Sequence, residues 1–246
     1  MPFHRGSRSK GLSLVEVLVI VAVIGIVALI AIPGLFSSSR INCERNASTS
    51  LKTLSSAEAD FRANDRDWNH VNDFWTANVS GLYTMTSAAV KGGEANSTTD
   101  PSIKLIELSV ASADADGSFI SAGGENVPLS SFAVPSAKAG YWYAALTADF
   151  SVGKGPEGLY MQDTKGTPLM GRVHHETKFG FVAFPDSLPA GKYVWIVNEN
   201  NTIFRSAVTA PCKQGMESPP GIRNVASVYL NWPDDANLKA TWAKID

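Results

Sequence analysis

The chain has 246 residues, 44% hydrophobic and 9% aromatic, with 20 Gly, 13 Pro and two Cys. These proportions describe a foldable protein with one sizeable core or two small ones, and exclude a disordered, collagen-like or disulfide-stapled chain. Twenty-one Lys and Arg face 23 Asp and Glu, a formal net charge of −2, so nothing electrostatic marks nucleic acid as a partner.

Residues 1–11, MPFHRGSRSKG, carry Arg5, Arg8 and Lys10 and no acid. They precede a run from Leu12 to Ile32 that has no polar residue after Glu16. As a helix this run rises about 31 Å, close to the hydrocarbon thickness of a bilayer. The basic residues ahead of it predict a single pass with the N-terminus in the cytoplasm and the mixed-charge remainder exported. An ordinary secretory signal has a shorter apolar region and a small-x-small cleavage site, whereas Ala28 to Gly34 reads ALIAIPG. A plain signal anchor leaves Glu16 unexplained, because a carboxylate inside a spanning segment costs about 2.5–3.5 kcal/mol on insertion scales.

The residues Lys10-Gly11-Leu12-Ser13-Leu14-Val15-Glu16, followed by the apolar run and Pro33, resemble the class III signal of type IV pilins and pseudopilins. That pattern is a basic leader, a Gly, an apolar residue and a Glu at the fifth mature position. Leu12 and Ser13 depart mildly from it, standing where Phe and Thr are commonest. The resemblance covers roughly residues 5–60. It implies a leader peptide over 1–11, cleavage after Gly11 by a prepilin peptidase, N-methylation of Leu12, a helix kink at Pro33 and an assembly role for Glu16. The chemistry is compatible: Gly11 presents an unhindered backbone to the peptidase. The freed amine of Leu12 is a cation that can pair with Glu16 of the same or a neighbouring subunit, offsetting the burial cost of both charges in a low dielectric.

Beyond the transmembrane and assembly segment over 12–33, Ile41, Leu51, Leu54 and Phe61 recur at helical spacing among polar residues. This predicts a distal helical half over 34–63, continuous with the first and bent near Pro33 and Gly34. From residue 64 the pattern changes to short β-like runs separated by Gly, Pro, Asn and Ser. The predicted strands are Ile103 to Val110, Tyr141 to Phe150, Lys178 to Phe184, Lys192 to Val197 and Thr202 to Val208, the last two joined by a hairpin turn at Asn198 to Asn201. Consecutive strands without helices between them favour an antiparallel sheet. The expected fold is α+β: a long N-terminal helix packed on a β-rich globular head over 64–246, a pilin-like lollipop. The tail is expected to pack through Trp232 and Trp242.

Asp65, Asp67, Asn69 and Asp73 fall at loop positions 1, 3, 5 and 9, a spacing that suits calcium, which needs six to eight oxygens on a tightly turning backbone. Against this, His70 stands where Gly makes the sharp turn and Thr76 where a bidentate Glu belongs. The alternative is that Asn64 and Asp65 simply end the long helix. Asp114-Ala115-Asp116-Gly117 reads as a turn. Cys43 and Cys212, both on the exported side, are disulfide candidates, although 168 residues separate them and sequence does not show proximity.

Enzyme signatures are lacking: there is no G-x-S-x-G, H-E-x-x-H, C-x-x-C or Walker A motif. His174-His175-Glu176 reads as a solvated turn, since adjacent strand side chains point to opposite faces. Trp68, Trp75 and Trp142 suit core or interface packing better than ligand binding. The function expected is a structural subunit of a type IV pilus-like filament. Its partners would be copies of itself or other pilins, the peptidase and methyltransferase, and an inner-membrane assembly platform, with the head outside and available for adhesion. The alternatives are a pseudopilin of a type II secretion system and a non-polymerising, membrane-anchored binding protein.

Overall fold

The computed structural model describes residues 11, 13–66, 71–83, 104–115, 133–151, 158–160, 174–187, 189–208 and 231–245. Helix α1 spans Leu14–Ala63 and runs without interruption past Pro33 and Gly34. Between Ser39 and Arg40 the chain divides into two compact units.

In the first unit the helix carries almost only apolar side chains, and all the large ones from Leu14 to Phe36 are exposed. In the second unit one face of α1 is buried: Ala47, Leu51, Leu54, Ala57 and Phe61 recur at three- and four-residue steps. Ser and Thr are tolerated here because their hydroxyls donate to carbonyls of the preceding turn, as Thr53 does to Thr49 (3.1 Å) and Ser56 to Lys52 (3.0 Å). The helix ends in a Schellman arrangement. Asp65 takes a left-handed conformation (φ 45°) and the Arg66 N–H donates to the Phe61 carbonyl at 3.2 Å.

After α1 the described elements are β1 (Phe74–Trp75), a 3-10 turn (Ser80–Leu82), α2 (Leu108–Ala111), β2 (Tyr141–Ala145), β3 (Ala148–Asp149), β4 (His174–His175), β5 (Gly180–Pro185), β6 (Tyr193–Asn198), β7 (Ile203–Ala207), β8 (Asn231–Trp232), α3 (Asp235–Thr241) and β9 (Ala243–Ile245). Five strands form one antiparallel sheet in the order β2-β5-β6-β7-β9. The fold is therefore α+β, a long N-terminal helix followed by an antiparallel sheet. One row across the sheet reads Tyr143, Ala183, Trp195, Arg205, Ala243. Two short ladders accompany it, β1 with β4 antiparallel and β3 with β8 parallel.

Every residue of β2 and β5 is buried, as expected of strands covered on both faces. On the helix side, the Lys192 N–H donates to the Glu44 carboxylate at 2.9 Å and Arg40 Nε to the Pro189 carbonyl at 3.4 Å. On the other side, Phe204 meets Trp232 edge-on at 5.7 Å, and Trp142 Nε1 donates to Asp186 at 2.9 Å. Trp232 and Trp242 are both buried, as the sequence predicts for the tail. The tail also supplies what sequence reading missed, a capped helix and the edge strand β9. The Asp234 carboxylate accepts from the Asn237 N–H at 2.8 Å, an N-cap.

Several expectations are corrected. Of the predicted strand Ile103 to Val110, the described residues 104–107 are irregular chain leading into α2, where Val110 and Ala111 are buried. The predicted strand Tyr141 to Phe150 breaks at Leu146 and Thr147, where Leu146 still bonds Gly180 while β3 turns to a new partner, β8. Ile41 is 46% exposed and lies off the buried stripe. His174 and His175 form a strand and not a solvated turn. His175 is buried because its Nδ1 accepts the N–H groups of Thr177 (3.1 Å) and Lys178 (3.0 Å). Trp75 and Trp142 are buried core residues, while Trp68 lies outside the described residues.

Candidate functional site

The chemistry that distinguishes this chain sits at the start of α1. Gly11 is exposed, and a Cβ placed there would meet nothing within 4 Å. Ser13 precedes the first helical residue, and its hydroxyl accepts the Glu16 N–H at 3.2 Å, while the Glu16 carboxylate accepts the Ser13 N–H at 3.4 Å. This is a capping box, two otherwise orphaned backbone donors satisfied reciprocally. The carboxylate also lies at the positive end of the helix dipole. The signal for it, Ser13-x-x-Glu16 before an apolar run, is present in the sequence but was eclipsed by the charge-pairing reading of Glu16. Leu12 and residues 1–10 lie outside the described residues.

The helix that follows is long and apolar enough to cross a membrane, and none of that stretch is buried within the chain. Leu14 is 81% exposed and both Leu29 and Ile30 76%. So much contiguous apolar surface demands a cover, lipid or protein.

The other candidates are less complete. Asp65 ends the helix, and Arg66 folds back onto Asp60 in a 2.8 Å ion pair. Asp73 is buried, whereas Asp67 and Asn69, on which a calcium loop depends, lie outside the described residues. Among the described residues no three His, Cys, Asp or Glu gather to hold a metal. Cys43 is half-buried and Cys212 lies outside the described residues.

Two buried acids escaped sequence reasoning. Glu58 sits on the core face of α1, fully buried; one carboxylate oxygen accepts the Trp75 N–H at 2.9 Å and the other has no hydrogen-bond partner among the described residues. Burial pushes its carboxyl well above the usual range, with the Trp75 N–H opposing and the neighbouring Asp73 adding to the rise. Asp114, read as part of a turn, is buried. One of its oxygens accepts the Val79 N–H (3.0 Å), the Ser80 N–H (2.8 Å) and the Ser80 hydroxyl (2.7 Å), which pins the 3-10 turn to the residue bridged to Tyr143. A single Glu or Asp in a polar stretch carries no periodic signal that would reveal such burial.

A family profile described as the prokaryotic N-terminal methylation motif matches residues 6–32. The chain therefore carries the class III prepilin-type signal and reads as a type IV pilin-like or pseudopilin-like precursor. Neither curated proteins nor solved structures gave a match.

Proposed function

We propose that this chain is a structural subunit of a type IV pilus-like filament, not an enzyme. It is inserted as a single-pass precursor with its N-terminus cytoplasmic, cut after Gly11, N-methylated on Leu12 and polymerised through the apolar half of α1. The observation that carries this reading is the methylation motif over residues 6–32 lying in register with a helix whose exposed residues up to Phe36, Glu16 aside, are apolar. In the filament that surface exchanges lipid for the same surface of neighbouring subunits. Glu16, freed from Ser13, pairs with the Leu12 amine of a neighbour and sets the axial register. The prepilin peptidase and methyltransferase act first, and an inner-membrane platform then extracts the subunit.

Intact mass and N-terminal sequencing of protein from membranes and from sheared surface material test this. A start at Leu12 with one added methyl group, found in the sheared fraction, is the expected result. The same start found only in membranes would favour a secretion pseudopilin. A start at Met1 or Pro2 would overturn the proposal.

A further inference from the structure

The second unit contains a cavity of about 310 Å³ between α1 and the turn joining β6 to β7. It lies at the lower end of the roughly 300–1,000 Å³ typical of small-molecule sites, the size of a metabolite. Arg62 of α1 lines it, with Nε donating to the Asn72 carbonyl at 3.2 Å and its guanidinium 4.9 Å over the Phe74 ring. These contacts hold the planar fork in place and leave its terminal amino groups without a protein partner among the described residues. Glu199, from the β6–β7 turn, lines the same cavity yet forms no ion pair with Arg62. Burial raises the pKa of its carboxyl, with the nearby Lys178 charge opposing and the Asp149 charge adding to the rise. Ser55 is 5% exposed, and its hydroxyl, which has no hydrogen bond among the described residues, also lines the cavity.

A purely anionic ligand would meet the Glu199 carboxylate and a purely cationic one the Arg62 guanidinium; a ligand with both charges satisfies the two. Guanidinium forks match carboxylates bidentately. A sugar would look for an exposed aromatic face, but Phe74 and Phe179, which line the cavity, are 6% and 2% exposed, and the Arg62 guanidinium lies over the Phe74 ring. We propose that this cavity binds a small zwitterion of the α-amino-acid class. Its carboxylate rests on Arg62, its ammonium on Glu199, its side chain against Phe74 and Phe179, and the Ser55 hydroxyl and the Asn201 amide add polar contacts.

The test is calorimetric titration of the full-length protein in detergent micelles with glycine, alanine, leucine and phenylalanine. At least one is expected to bind saturably. Its N-acetyl and amide derivatives, each lacking one charge, are expected to bind at least about tenfold more weakly, the scale of one lost charge-assisted hydrogen bond. Glu199→Gln should weaken the amino acid by a similar factor while leaving the circular dichroism melt in place. If that variant does not fold, Arg62→Lys, which keeps the charge and the stem but loses the fork, should show the same weakening. No saturable heat from any of the four at up to about 10 mM overturns the proposal. So does a derivative that binds as tightly as its parent, or a folded Glu199→Gln that binds normally.

Discussion

The Ser13 hydroxyl and the Glu16 carboxylate exchange hydrogen bonds across the first turn of α1, each accepting the other residue's backbone N–H. The lone acid of the apolar run is thus occupied by its own helix before any second subunit arrives. Assembly through Glu16 then means trading a local bond to Ser13 for a bond to an amine.

Capping and charge pairing make different predictions for two substitutions. Glu16→Gln keeps an acceptor for the Ser13 N–H but removes the charge, whereas Ser13→Ala keeps the charge and removes a cap contributing about 1 kcal/mol. If charge pairing drives assembly, Glu16→Gln and Glu16→Ala both lose the sheared-fraction signal, with a correctly processed protein left in the membrane. Ser13→Ala should still assemble. Immunoblots of the two fractions decide; filaments formed at normal yield by Glu16→Gln would remove charge pairing from the mechanism.

Glu58 makes stability depend on pH in an unusual direction. Its carboxyl is raised in the folded state, so the folded chain holds a proton that the unfolded chain gives up. The contribution is fully present below the ordinary carboxylate value and is lost as pH rises through the folded value. Glu58→Gln should flatten this decline and melt no lower than the wild type at pH 8. Glu58→Leu strands the Trp75 N–H and should cost about 1–3 kcal/mol. Thermal melts at pH 5 and pH 8 measure both.

Asp114 anchors the 3-10 turn through three donors on one oxygen. Asp114→Ala leaves those donors buried without that acceptor and should cost about 3 kcal/mol or more, lowering the melting temperature by roughly 10 °C for a unit of this size. Ser80→Ala removes one donor and should cost about 1 kcal/mol. Chemical denaturation of both variants checks the ranking.

Gly191 lies where any Cβ would strike the Tyr141 hydroxyl, which donates to the Tyr193 carbonyl at 2.9 Å. Gly191→Ala must push that ring aside and should destabilise by about 1–3 kcal/mol. Tyr141→Phe loses the bond and removes the nearest clashing atom, leaving ring carbon Cζ at 2.6 Å, so the double variant should be somewhat less destabilised than the sum of the singles. A double-mutant cycle by urea denaturation tests the coupling.

What the sequence made legible follows the strength of periodic signals. The apolar run, the long helix and β5, β6 and β7 stand out because many consecutive residues repeat one pattern, and the hairpin at Asn198 to Asn201 is marked by its turn residues. The N-terminal methylation motif is legible because glycine, acid and run length must agree in register. Segments of two or three residues, such as β1, β4 and β8, carry no period at all; their pairing is decided by partners far along the chain. Ile103 to Val110 misled for another reason, since apolar residues four apart and residues two apart occur together in it, and of its described part only Leu108–Val110 is regular, as the start of α2. Glu58, Asp114 and the cavity residue Ser55 were invisible because nothing local distinguishes a buried acid or hydroxyl from a solvated one. The Ser13 cap was readable but was assigned a different meaning.

The hydrogen bond between Lys192 and Glu44 closes a separation of 148 residues, and the face of α1 from Ala47 to Phe61 shares one core with residues as far along the chain as Trp242. Under the proposed export, this half of the helix crosses the membrane before the strands that pack with it have been made. Loop closure of that length slows folding. Under the proposed export, the sheet of the second unit is complete only once its edge strand β9 has crossed the membrane.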